Sequence, residues 1–170
     1  MFWDDNEFPI AYLITLRTYG TWLHGDGRGS IDRYHNQFRG PRISANPVMQ
    51  RQNKMKLKSD PLLLNAHQRP IVETAIRGVC NYRNWTLRAI NVRTNHVHIV
   101  CSTNESAAGK AIKDFKAYAT RALKSAGHWK FDHSPWADGG SERYLWKELS
   151  IGNACEYVVN GQGADLPEAF

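Results

Sequence analysis

The pattern of apolar and polar positions divides the chain into a short series of elements. Ala11 to Tyr19 is β-branched and aromatic, and predicts a strand. Gly20 and the stretch His24-Gly-Asp-Gly-Arg-Gly-Ser30 break it with residues suited to tight turns. Residues 30–62 are polar and show no apolar period, and read as a long insertion. Pro70 then suits the first turn of a helix, and Ile71, Val72, Ala75, Ile76, Val79 and Cys80 recur at the spacing of one helix face. That helix is expected to end between Asn81 and Asn84. Two strands follow, Thr86–Val92 and His96–Cys101, and Arg93-Thr94-Asn95 between them has the length of a hairpin loop. Ser106 can cap a second helix whose stripe is Ala108, Ile112, Phe115, Ala119 and Ala122. After a loop at 129–140, Glu142 to Lys147 predicts another strand. A short helix from about Asn153 to Gly161 comes last, with Ala154, Cys155, Val158 and Val159 as its apolar side. The order strand, insertion, helix, hairpin, helix, strand, helix predicts an α+β fold: a small antiparallel sheet with helices packed on it.

Composition narrows the setting. The chain has 170 residues, and a length of this order suits one domain over 1–170 with one insertion at about 30–62. No run of about 18 apolar residues occurs, so no membrane-spanning segment is expected. Met1-Phe2-Trp3-Asp4-Asp5 lacks the basic and apolar regions of a signal peptide. Cys80, Cys101 and Cys155 are too widely spaced to suggest a disulfide framework or a cysteine zinc site, and a cytoplasmic location is expected.

Charge changes the picture more. With 22 Lys and Arg against 16 Asp and Glu the formal net charge is +6, but it is unevenly spread. Between Arg33 and Ser59 the charged residues are Arg33, Arg39, Arg42, Arg51, Lys54, Lys56 and Lys58, with no acid among them. A second basic stretch runs from Lys110 to Lys130, interrupted by Asp114 alone. Such asymmetry suits a polyanion, nucleic acid first and an acidic membrane surface second, against a merely solubilising surface. Arg28, Arg39, Arg42, Arg51, Lys54, Lys56, Lys113, Lys116 and Arg121 are the candidate DNA contacts.

The sharpest local feature is His96-Val97-His98. Side chains at i and i+2 of a strand share a face, so both imidazoles project together while Val97, Ile99 and Cys101 project into a core. Two imidazoles on one face are half of a divalent metal site, or equally a polar pair on a solvent face. On the last helix, Tyr157 lies near Asn160, Gly161 and Gln162, a pattern that also fits a half-buried packing tyrosine. The Gly-rich loop carrying His24, Asp26 and Arg28 could meet phosphate through its backbone amides. It lacks the Gly-Lys-Ser/Thr of a P-loop, which argues against nucleotide hydrolysis.

Together these residues resemble the HUH single-tyrosine transposases, the group of insertion-sequence 200-like and REP-associated tyrosine transposases. The resemblance rests on Thr94-Asn-His-Val-His-Ile-Val100, on Ala111-Ile-Lys-Asp-Phe-Lys-Ala-Tyr118 and on Trp146-Lys-Glu-Leu-Ser-Ile-Gly-Asn-Ala-Cys-Glu-Tyr-Val-Val-Asn160. The opening strand with Thr18-Tyr-Gly-Thr-Trp-Leu23 is also similar. It implies a ferredoxin-like HUH palm and an enzyme that cuts and rejoins single-stranded or hairpin DNA. It further implies that His96 and His98 hold Mg²⁺ or Mn²⁺, that Tyr157 attacks phosphorus, and that a 5′-phosphotyrosine and a free 3′-hydroxyl result. A metal would polarise the phosphate, and a phenol with pKa near 10 needs such help.

One position departs from the family. Where the insertion-sequence branch has an amide one turn after the tyrosine, this chain has Gly161. Gln162 is the favoured third ligand and Asn160 the alternative. The resemblance also implies a possible homodimer, since some relatives exchange tyrosine helices between subunits. Tyr118, among Lys113, Lys116 and Arg121, is the alternative nucleophile. Two other functions compete: a non-catalytic binder of single-stranded or hairpin nucleic acid on the same scaffold, and a metal-dependent phosphoesterase that uses water.

Overall fold

The structure, a computed structural model, describes residues 8–23, 26–27 and 42–163. Four strands, β1 (Ala11–Arg17), β2 (Thr86–Val92), β3 (His96–Ser102) and β4 (Ser141–Leu145), form one antiparallel sheet in the order β2-β3-β1-β4. Four helices accompany it: α1 (Pro47–Met55), α2 (Gln68–Arg83), α3 (Ala108–Ser125) and α4 (Glu148–Asn160). With α2 after β1 and α3 after β3, the sheet is two split β-α-β units wound together, the ferredoxin-like arrangement.

Period-2 alternation in the strands separates two cores. Tyr12, Ile14 and Leu16 of β1 and Val97, Ile99 and Cys101 of β3 face α2 and α3, where Val72, Ile76, Val79, Phe115 and Leu123 close the main core. The opposite face carries Ala11 and Leu13 of β1, Ala89 of β2 and Val100 of β3, covered by Ile151, Ala154 and Val158 of α4. β1 and β3 pair so that Thr15 lies opposite His98 and Arg17 opposite His96. The α4 face of the sheet is therefore apolar under the middle of α4 and turns polar toward its C-terminal end.

Several boundaries differ from the sequence expectation. The insertion is not without regular structure: α1 lies inside it, its first turn closed by Asn46 accepting from the Met49 amide, with Pro47 just after the cap. None of its residues is buried, so it has no apolar stripe for periodicity to reveal. α4 starts at Glu148 rather than near Asn153. Ser106 does not cap α3; the cap position is Ala107, which makes no side-chain cap bond, and the Thr103 hydroxyl instead donates to the Ser106 carbonyl. The buried stripe of α3 runs through Ala111 and Leu123 rather than Ile112 and Ala122. The part of the insertion at 30–41, and with it Arg39, as well as His24 and Arg28, lies outside the described residues.

Asp114, the lone acid of the second basic stretch, ties the two core helices. Its carboxylate meets Arg83 of α2 at 3.2 Å and Lys110 of its own helix at 3.6 Å.

Candidate active site

His96 and His98 open β3 on the α4 face, and their rings lie 4.6 Å apart, centroid to centroid. α4 ends above them. Asn91 of β2 donates to the Val158 carbonyl at 3.0 Å, pinning the last turn of the helix to the sheet edge. This brings the ring of Tyr157 to 5.4 Å from that of His98. Tyr157 stays 48% exposed, so one side of the phenol faces the histidines while the rest is open to solvent.

Each imidazole is oriented by a neighbour. His96 Nδ1 is 2.7 Å from Asn95 Oδ1, and His98 Nδ1 is 2.8 Å from Thr15 Oγ1. Gln162, just past the helix, comes back over the pair. Its Nε2 donates to the Tyr157 carbonyl at 3.0 Å, which turns Oε1 toward His96 Nε2 at 3.3 Å. Asn160, the alternative third ligand, instead donates to Glu156 at 2.9 Å.

The electrostatics keep both rings neutral. Burial lowers the pKa of His96; the Gln162 hydrogen bond opposes this, and the nearby Arg93 and Arg17 guanidiniums add to it. His98 is pushed down to about 4, by burial first and then by His96, with Gln162 opposing and Arg17 adding a little. A neutral His96 has one ring proton but lies between two carbonyl oxygens, Asn95 Oδ1 and Gln162 Oε1. One nitrogen must therefore face an oxygen lone pair to lone pair. His96 Nε2 and Gln162 Oε1 would hold a divalent cation, with His96 Nδ1–H donating to Asn95. The donor set, two imidazoles and an amide oxygen, thus fits a divalent cation. No group of three or more His, Cys, Asp or Glu able to hold a metal occurs among the described residues; the polar group that faces His96 Nε2 is the Gln162 amide.

Gly161 explains the departure from the family pattern. A Cβ there would stand 2.6 Å from the Tyr157 carbonyl oxygen and 3.0 Å from its ring Cδ2. The bare backbone lets the chain turn tightly beneath Tyr157 and deliver Gln162. Asn95 and Thr15 were missed as site residues; the signals were the position of Asn95 just before the histidine strand, and the polar Thr15 and Arg17 ending an otherwise apolar run in β1.

The other candidates are not brought to this site. Tyr118 packs against the main core beneath Arg121, whose guanidinium lies 4.4 Å from its ring centroid, on the far side of the sheet from the histidines. Lys116 donates from its ammonium to the carbonyls of Ala137, at 2.7 Å, and Gly139, and burial lowers its pKa; it fastens the loop before β4 instead of reaching into solvent. Lys113 and Arg121 are exposed on α3. Arg51 and Lys54 of α1, with Arg42 and Lys56 flanking that helix, are exposed.

Comparison with known proteins decides the family. Residues 55–148 match the model of the transposases described as IS200-like, a span that contains both histidines. The chain belongs to the IS200-like transposase family. The matched span ends at Glu148, so Tyr157 and Gln162 lie beyond it. No curated protein matches the chain. Among solved structures, the chain is similar to a REP-associated tyrosine transposase bound to a REP hairpin, with 10% identity, 93% of this chain and 69% of that one covered, and a TM-score of 0.49. It is also similar to a candidate transposase from Deinococcus radiodurans R1, with 13% identity, 96% and 99% covered, and a TM-score of 0.47. No helix among the described residues is long and apolar enough to cross a membrane.

Proposed function

We propose that this IS200-like transposase cuts and rejoins single-stranded or hairpin DNA through a phosphotyrosine on Tyr157. The observation that carries the proposal is the convergence, within one chain, of Tyr157, His96, His98 and Gln162 on one patch of the sheet. His96 and His98, with Gln162 Oε1, would hold Mg²⁺ or Mn²⁺, as the divalent-metal dependence general in this family suggests. When bound, that ion neutralises charge on the scissile phosphate and lowers the barrier to attack.

The chain's own residues do the rest. Tyr157 Oη forms a bond to phosphorus as the P–O3′ bond breaks. The phenol loses one proton and O3′ gains one, so the exchange is balanced and the strand's bond energy is kept in the ester. The reverse attack by another 3′-hydroxyl reseals without an energy source. Asn95 and Thr15 orient the two rings through their Nδ1 atoms. Arg42, Arg51, Lys54, Lys56, Lys113 and Arg121 offer exposed cations to the backbone of the DNA. A second copy is not required to complete the site, since all four residues come from one chain. The three described cysteines are free thiols, which suits the reducing cytoplasm.

Labelled single-stranded oligonucleotides taken from the DNA flanking the gene, incubated with Mn²⁺ and run on a denaturing gel, test this reading. Wild type should give a protein–DNA adduct and a shortened strand. Tyr157→Phe should lose both, and Tyr118→Phe should keep both. Salt-sensitive binding with no cleavage in wild type would favour the non-catalytic binder. Cleavage that survives Tyr157→Phe would favour hydrolysis by water.

A further inference from the structure

Asn91, His98 and Thr15 lie directly opposite one another across β2, β3 and β1, so their side chains share the α4 face of the sheet. Thr15 serves the imidazole, through His98 Nδ1 at 2.8 Å. Asn91 serves the helix above it: its Nδ2 donates to the Val158 carbonyl at 3.0 Å. Resting on the strand-cutting reading above, we propose that Asn91 is a positioning residue for the reaction. By tying the Val158 carbonyl to the row that holds His98, it sets where the Tyr157 phenol stands and so how fast that phenol reaches phosphorus.

The bond falls where the helix needs it. The last four carbonyls of a helix have no partner within it. In α4 the Tyr157 carbonyl accepts from the Gly161 amide at 2.9 Å and from Gln162 Nε2 at 3.0 Å, both in the segment that follows the helix. The next carbonyl, that of Val158, accepts from the sheet instead. The last turn carries no basic side chain to stand in for Asn91, and Asn160 is engaged with Glu156 at 2.9 Å. Apolar packing runs out at the same point. Val158 is fully buried in the smaller core, whereas Val159 is exposed.

The residue type supports the same role. Asparagine is a poor strand former. Two positions earlier on the same strand face, Ala89 packs in the apolar core under α4, and an apolar residue at 91 would simply extend that core. The amide gives the strand nothing that Ala89 does not, but it gives the helix a donor. Val158 and Tyr157 are neighbours in one turn, separated by about 100° around the helix axis. With Val158 directed into the sheet, Tyr157 is turned so that its ring lies 5.4 Å from that of His98. Any drift of the Val158 carbonyl carries Tyr157 with it, and a misplacement of about 1 Å at a reacting group costs up to about 100-fold in rate.

The test compares full-length wild type with Asn91→Leu, which keeps the size and removes the donor, and with Asn91→Gln, which keeps an amide. Each is given Mn²⁺ and a single-stranded oligonucleotide from the gene's flanking DNA. Adduct formation in a single turnover at saturating DNA should slow about 10-fold in Asn91→Leu. Oligonucleotide affinity by fluorescence anisotropy should stay within about 2-fold of wild type, since only the positioning of the phenol is lost. Asn91→Gln should recover the rate to within about 3-fold of wild type. A second readout needs neither DNA nor metal: hydrogen exchange at the Gly161 amide should speed up about 10-fold in Asn91→Leu, with α2 and α3 unchanged. A wild-type rate of adduct formation in Asn91→Leu overturns the proposal and leaves strand cutting standing. Equal loss of rate and affinity, or no recovery with Asn91→Gln, makes Asn91 a structural residue only and also overturns it. If the wild type forms no adduct, the strand-cutting reading falls and this proposal falls with it.

Discussion

Gly161 shows how much a missing side chain can decide. Its backbone passes so close to Tyr157 that a Cβ would overlap the Tyr157 carbonyl oxygen at 2.6 Å. Gly161→Ala must therefore push the end of α4 away from its own last turn, and Gln162 moves with it. We expect a stability loss of about 1–2 kcal/mol by thermal unfolding, because the strain falls at a helix end near the surface. Cleavage should fall at least 10-fold while hairpin affinity holds, since the DNA-facing cations are untouched. Equal loss of binding and cleavage would argue that Gly161 serves only the fold. His98 carries a second prediction at this scale. Its folded pKa, about 4, lies below the ordinary 6.5, because burial, His96 and Arg17 all disfavour the charged ring. The unfolded chain therefore binds the proton more readily, and stability rises with pH across that window. In EDTA, stability should be complete above about pH 6.5 and fall as pH drops toward 4, by about 2 kcal/mol at pH 5 from this residue. Thermal melts at pH 7 and pH 5, compared between wild type and His98→Gln, check this; the variant should lose less on acidification.

Among the elements, those with a buried stripe or a clean alternation were legible in the sequence. β3 was read correctly because Val97, Ile99 and Cys101 alternate with His96 and His98, and α2 because its apolar residues repeat on one face. α1 was missed because it buries nothing, and a helix held by a cap and backbone bonds leaves no hydrophobic period. The start of α4 was placed late because Leu149 is exposed and Gly152 interrupts the run, so only the second half looks amphipathic. Site residues split the same way. The His96–His98 pair shows as a local alternation, whereas Tyr157 stands out only through the family resemblance. Asn95, Thr15 and the committed ammonium of Lys116 depend on cross-strand register and on a distant loop, which no local pattern carries. The α2–α3 tie offers a prediction at this scale. Asp114→Asn removes the charge facing Arg83, a pair that is only partly exposed. We expect about 1–2 kcal/mol of destabilisation, a fall in Tm of a few degrees, with cleavage unaffected at 25 °C. An unchanged Tm would reduce the pair to a surface contact.

Across the whole molecule, the fold divides its labour between the two faces of one sheet. The α2–α3 face holds the main core, and the α4 face holds a smaller core that gives way to the site where the helix ends. In the proposed reaction the histidines and the tyrosine of one site come from the same chain, so that the site works in cis. Mixing His96→Ala with Tyr157→Phe should then restore no activity, since neither protein has a complete site; exchange of α4 between subunits would restore up to a quarter to a half of it, depending on how the mixed dimers assort. The central claim is that Tyr157 is the nucleophile, and the most direct measurement is mass spectrometry of the proteolysed adduct formed with Mn²⁺ and a single-stranded substrate. The account predicts a nucleotide joined by its 5′-phosphate to the peptide that contains Tyr157. A nucleotide found on the peptide containing Tyr118, or cleaved DNA with no modified peptide at all, would contradict it.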